Sequence, residues 1–145
     1  MPRTAGTRFD AVLVDRENHA IALVEVKTRP REKWATIVQR LLVKFAEPVA
    51  FVITIDLDSI RLYRAGGVIL GEPIVHLDTL QVLGHYDPEL PRKQLFESYL
   101  LTLVEAWLRD LSYHWKSENP PGVEELRRTG LLEKLEGGTT VLLEA

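Results

Sequence analysis

The chain has 145 residues, 46% hydrophobic and 27% charged, which is the composition of a single globular domain long enough to bury a core. Its net charge of -3 and pI near 5.8 exclude an overall basic footprint, so any surface that holds nucleic acid has to be a local patch. Zero cysteines exclude disulfide staples and thiolate metal sites, and no run approaches the roughly 20 apolar residues of a membrane span, so no membrane is expected.

The opening MPRTAGTRFD lacks the apolar centre of a signal peptide, and a cytoplasmic location is the expectation. Phe9 to Asp15 (FDAVLVD) then reads as an apolar strand, and Ala20 to Arg29 (AIALVEVKTR) as a second one. The polar segment Arg16-Glu17-Asn18-His19 between them is short enough to close an antiparallel hairpin. A register that sets Asp15 against Ala20 also sets Asp10 directly opposite Glu25.

Side chains alternate along a strand, so Glu25 and Lys27 share one face while Val24 and Val26 point to the other. Directly opposed residues have Cβ atoms roughly 5 Å apart, and two carboxylates there repel unless something offsets them. A divalent cation would do so. Asp10, Glu25 and the backbone carbonyl of Val26 form a hard oxygen set suited to Mg²⁺ or Mn²⁺. The plainer alternative is a surface cross-strand pair at the solvent end of the hairpin.

Beyond that strand, Lys27, Arg29, Arg31 and Lys33 fall close together, joined by Arg40 and Lys44, with only Glu32 interrupting before Glu47. Basic residues beside a metal site are placed to grip phosphates; a solvated loop would carry them equally well. From Glu32 or Lys33 to about Ala46, the apolar residues Trp34, Ile37, Val38, Leu41, Leu42 and Phe45 recur at helical spacing, with Pro48 as the stop. Trp34 reads as packing.

Val49 to Ile55 is a continuous apolar strand of the kind covered on both faces. Asp56 to Ser59 reads as a turn rather than a calcium loop, and Ile60 to Arg64 as the returning strand. Val68 to Leu83 suggests short strands, and Asp78 to Pro91 a loop. His19, His76, His85 and His114 have no metal-ligand spacing.

The longest periodic element runs from about Arg92 to Trp115, with Leu95, Phe96, Tyr99, Leu100, Leu103, Trp107 and Leu111 on one face. Such a helix is roughly 35 Å long. Its apolar face needs cover, either by packing across the sheet or by pairing with a second copy as a homodimer. Asn119 to Gly122 breaks the chain, Val123 to Leu135 is helical with an interruption at Gly130, and Thr139 to Leu143 forms a last strand.

Asp10, fourteen intervening residues, then Glu25-Val26-Lys27 on apolar strands resembles the PD-(D/E)XK nuclease superfamily, with Phe9 where the namesake proline usually stands. The segments Trp34 to Leu42, Phe51 to Ile55, Ile60 to Tyr63, Trp107 to Leu111 and Gly130 to Leu132 are similar in order to small stand-alone bacterial members. The resemblance implies an α/β fold of restriction-endonuclease-like type, a mixed central sheet flanked by helices. It implies Mg²⁺ or Mn²⁺ held by Asp10, Glu25 and Val26, with Lys27 positioning the attacking water, and nucleic acid, expected to be DNA, as substrate. It places the nuclease core at about 8–75 of a single 1–145 domain and a helical extension at about 88–145. Arg29, Arg31, Lys33 and Arg40 would meet nucleic acid, and Gln39 would face the site as a helical Gln does in some relatives.

Only nine residues precede Asp10, too few for the core helix and strand that normally come first. In many relatives that helix adds another acid to the metal site. The gap implies a shortened member, replacement by a later helix such as the one from Arg92, or supply by a partner chain. The alternative function is a catalytically silent nuclease-fold module acting in dimerisation or protein binding.

Overall fold

The computed structural model describes residues 9–45, 47–65, 71–90 and 95–143. Among these residues eleven elements follow one another: β1 (Ala11–Val14), β2 (Ala20–Val26), α1 (Trp34–Lys44), β3 (Phe51–Ile55), β4 (Ser59–Arg64), β5 (Val75–Asp78), α2 (Thr79–Leu83), α3 (Glu97–Tyr113), α4 (Val123–Arg127), α5 (Leu131–Leu135) and β6 (Thr139–Leu142).

The six strands form one mixed sheet in the order β5-β4-β3-β2-β1-β6. Among the described residues only β2 and β3 run parallel, joined by the α1 crossover; the other neighbours are antiparallel. This is an α/β protein whose sheet is closed at one edge by a strand from the end of the chain. The C-terminal strand β6 lies against the N-terminal strand β1, with Ala11 facing Leu142 and Val14 facing Thr139.

Both faces of the sheet are buried, which explains why β2 and β3 read as unbroken apolar runs. On one face Leu23, Val52 and Tyr63 pack with Trp34, Ile37, Val38 and Leu41 of α1. On the other, Val24, Val26, Ile53 and Leu62 pack with Leu100, Val104, Trp107 and Leu108 of α3 and with Leu126, Leu131 and Leu135 of α4 and α5. The apolar face of α3 is therefore covered inside the chain. Of the two uses open to it, sheet packing accounts for its buried residues.

The hairpin register holds along the middle of β1 and slips at the turn, while Asp10 lies ahead of the first pair. Ala11 pairs with Val24, Val12 with Leu23 and Leu13 with Ala22, as expected; a bulge after Leu13 then sets Val14, not Asp15, against Ala20. The bulge follows from the turn. Asp15 Oδ1 accepts the N–H groups of Glu17 at 2.9 Å and His19 at 2.8 Å, and Asn18 takes φ +66°, a conformation tolerated by Asn.

Other elements differ from their expected bounds. Helix α2 occupies residues expected to be strand or loop, started by the Asp78 carboxylate, which accepts the Gln81 N–H at 2.9 Å. Helix α3 starts at Glu97; the expected start at Arg92 falls outside the described residues. Phe96, expected on the buried face, is instead 65% exposed just ahead of the helix, and Trp115 is 51% exposed beyond its left-handed end at His114. The helical stretch after Gly122 divides at Gly130 as expected, where φ of +89° favours glycine.

Candidate active site

Glu25 sits near the end of β2 and is only 6% exposed. Leu23 belongs to the α1 side of the core while Val24 and Val26 belong to the α3 side, so alternation puts Glu25 and Lys27 on the α1 face. A carboxylate buried in an apolar strand is destabilising unless it is hydrogen-bonded or paired. Asp10 supplies part of what is needed, since its N–H reaches Glu25 Oε1 at 3.2 Å while also donating to the Val24 carbonyl at 3.0 Å.

Asp10 lies half-buried just ahead of β1, and its own carboxylate turns back to the partner strand. Its Oδ2 accepts the Val26 N–H at 2.7 Å, capping β2 where β1 has ended. Asp10 and Glu25 thus each commit one oxygen to the other's side of the hairpin, while the second oxygen of Glu25 faces the Lys27 ammonium. The Lys27 N–H donates to the Ile55 carbonyl on the β3 side, so the Val26 N–H and C=O face the β1 side, towards Asp10.

Burial pushes the Glu25 carboxyl up to about 8, and the charge and side-chain hydrogen bond of Asp10 push the same way against the pull of Lys27. The Lys27 Nζ stands 3.6 Å from Glu25 Oε2, on a side chain that is 38% exposed. Two carboxyls and an ammonium thus lie together at this end of the hairpin, with the ammonium on the more exposed side chain.

The remaining candidates are dispersed. Arg29, Arg31 and Lys33 are exposed on the segment that leads from β2 to α1, and Gln39 is half-buried on α1. Arg40 is engaged elsewhere, forking onto both oxygens of Glu32 at 2.8 and 3.0 Å, an arrangement that holds the Glu32 carboxyl below its ordinary range.

Asp56 behaves as a turn residue. Its Oδ1 accepts the N–H groups of Asp58 and Ser59, and its Oδ2 accepts Trp34 Nε1 at 2.9 Å and Arg61 Nη1 at 3.2 Å. Burial alone would raise this carboxyl, but those bonds together hold it low. Trp34 is 7% exposed and packs, as its spacing implied. The ligating atoms of Asp15, Glu17 and His19 come within 4.8 Å of one another, yet their bonds are those of the hairpin turn. A cleft of about 460 Å³ lies at that hairpin end, lined by residues that include Asp15, Ile21, Glu133 and Glu136, and holds none of the β2 site.

One residue at the site was not anticipated. Glu97, the first residue of α3, accepts the Thr28 N–H on Oε1 at 3.1 Å and so ties the helix to the exit of β2, directly after Lys27. An acid in the first turn of a helix is too common a feature to single it out from sequence.

No family model, curated protein or solved structure matches the chain. What it does has to be read from these residues and their geometry.

Proposed function

We propose that the protein is a metal-dependent phosphodiesterase acting on nucleic acid, with DNA as the expected substrate, built on a nuclease core of PD-(D/E)XK type. The observation that carries this reading is the buried Glu25 and the half-buried Asp10, bonded across the hairpin, with the Lys27 ammonium at 3.6 Å from Glu25. Like charges so placed are unfavourable in the empty protein and favourable around a cation.

The donor set fits Mg²⁺ or Mn²⁺: two carboxylates and the Val26 carbonyl are hard oxygen ligands, on strands that hold them fixed. When bound, the cation supplies Lewis-acid charge for a phosphodiester and for the hydrolytic water. Lys27 orients that water and offsets the charge that develops on the phosphoryl oxygens. Arg29, Arg31 and Lys33 hold flanking phosphates. Glu97 acts as a positioning residue by fixing the backbone of Thr28, and with it the place of Lys27.

Strand β6 beside β1, and α3 against Val24 and Val26, brace the two strands that carry Asp10 and Glu25 from the C-terminal half of the chain. The second reading, a silent nuclease-fold module that binds protein, draws on the net charge of -3 and on the engagement of Arg40 by Glu32. Cleavage of plasmid and of single-stranded DNA with Mg²⁺ or Mn²⁺, beside EDTA and Lys27→Ala, separates the two.

A further inference from the structure

Phe96 is a large apolar side chain that the core does not use. It is 65% exposed, at the residue just before α3, while its neighbours Leu95 and Tyr99 pack against the core. The next residue, Glu97, holds the Thr28 N–H at 3.1 Å, and Thr28 follows Lys27 in the chain. Consecutive Cα atoms are about 3.8 Å apart, so the Phe96 backbone lies within roughly 10 Å of the strand exit that carries Lys27. Arg29 and Arg31, both exposed, leave from the same exit.

An exposed ring beside clustered cations is the combination that holds single-stranded nucleic acid. Cations track the phosphates, and the ring face accepts an unpaired base whatever its identity. Within a duplex each base face is already covered by its neighbours, so the ring gains nothing there without unstacking. An exposed Phe draws no benefit from solvent either, so the base is the occupant whose chemistry matches both the ring and the charge around it.

We infer that Phe96, at the exit of β2 where Thr28 meets α3, is a stacking platform for an unpaired base of a strand that passes around that edge of the sheet to the Asp10–Glu25–Lys27 site, and that the substrate class is single-stranded or locally unpaired nucleic acid. This rests on the nuclease reading for its choice of partner. The aromatic face sets the preference for unpaired strands, while the basic segment from Lys27 to Lys33 supplies affinity that falls with salt.

The test is binding of a short fluorescein-labelled oligothymidylate and of a blunt duplex, followed by anisotropy with Ca²⁺ replacing Mg²⁺. The proteins are the wild type, Phe96→Ala, Phe96→Leu and Phe96→Trp. The expected result is a wild type that favours the single strand, with binding weakened roughly ten-fold or more in Phe96→Ala and similarly in Phe96→Leu. Duplex binding should be unchanged, and Phe96→Trp should keep single-strand affinity and lose indole emission on binding.

Wild-type affinity in Phe96→Ala, restoration by Phe96→Leu, or a wild type that does not bind the single strand overturns the inference. So does a sedimentation shift from dimer to monomer in Phe96→Ala with oligonucleotide binding intact, because the ring would then serve a second copy. Cleavage of the same oligonucleotide with Mg²⁺ is scored in parallel. Phe96-dependent binding without cleavage rejects the nuclease reading and keeps the platform; cleavage with Phe96-independent binding does the reverse.

Discussion

Asp10 and Glu25 hold one another across the β1–β2 hairpin: the N–H of Asp10 reaches Glu25 Oε1 at 3.2 Å, and the Asp10 carboxylate caps the strand that carries Glu25 at the Val26 N–H. The contact is structural and chemical at once. It closes the end of the hairpin and brings a half-buried carboxyl beside a buried one, so stability and cation binding are coupled through the same two side chains.

The coupling has a sign. Burial, then Asp10, raises the Glu25 carboxyl from its ordinary value to about 8, so the folded protein keeps a proton that the unfolded chain releases. The stability this gives is fully present below the unfolded value near 4.5 and is lost as pH rises through about 8. Glu25→Gln removes this dependence. Urea unfolding in the absence of metal should show the wild type losing a few kcal/mol relative to Glu25→Gln between pH 5 and pH 9. A constant difference would mean that Glu25 is already ionised in the folded protein.

Cation affinity follows from the same proton. Binding requires the Glu25 carboxylate, so the affinity for Mn²⁺ by calorimetry should rise about ten-fold per pH unit below the Glu25 value and level off above it. Saturating Mg²⁺ should raise the melting temperature of the wild type and leave Glu25→Gln unmoved. A shift of equal size in both proteins would place the cation elsewhere, with the Asp15–Glu17–His19 turn the next place to look.

Glu97 is predicted to act through position rather than charge. Glu97→Ala frees the Thr28 N–H and should lower cleavage about ten-fold, while its exposed location limits the loss of stability to about 1 kcal/mol. Glu97→Gln keeps an acceptor oxygen and should restore most of the rate. If the amide variant is as poor as the alanine, the carboxylate charge itself is required.

Trp107 anchors α3 to the rest of the fold, fully buried and donating its indole N–H to the Pro121 carbonyl at 2.8 Å. Trp107→Ala should cost about 3–5 kcal/mol in denaturant unfolding, through lost burial and an unfilled cavity. A loss below about 1 kcal/mol would show that α3 is not integral to the sheet layer.

These residues also mark what could be read ahead of the structure. The closeness of Asp10 and Glu25 was legible because apolar alternation fixes the register of Ala11 on Val24, one residue further along the hairpin, and the bulge that moves Ala20 onto Val14 lies at the turn end, away from it. The α1 stripe and the Asp56 turn were legible for the same local reason. Helix α2 carries a local signal too: Asp78 followed three residues later by Gln81 is a helix-start pattern. Glu97 meeting Thr28, β6 joining β1, and Phe96 left in solvent depend on where distant segments dock, which periodicity does not encode.

The central claim is that Asp10, Glu25 and Lys27 form one hydrolytic site, and the most direct measurement is cleavage of supercoiled plasmid and single-stranded DNA with Mg²⁺ or Mn²⁺. Metal-dependent cleavage is predicted, abolished by EDTA and reduced at least a hundred-fold in Lys27→Ala while Mn²⁺ binding by that variant persists. Folded protein that binds Mn²⁺ yet cleaves neither substrate, or a Lys27→Ala variant as active as the wild type, would contradict it.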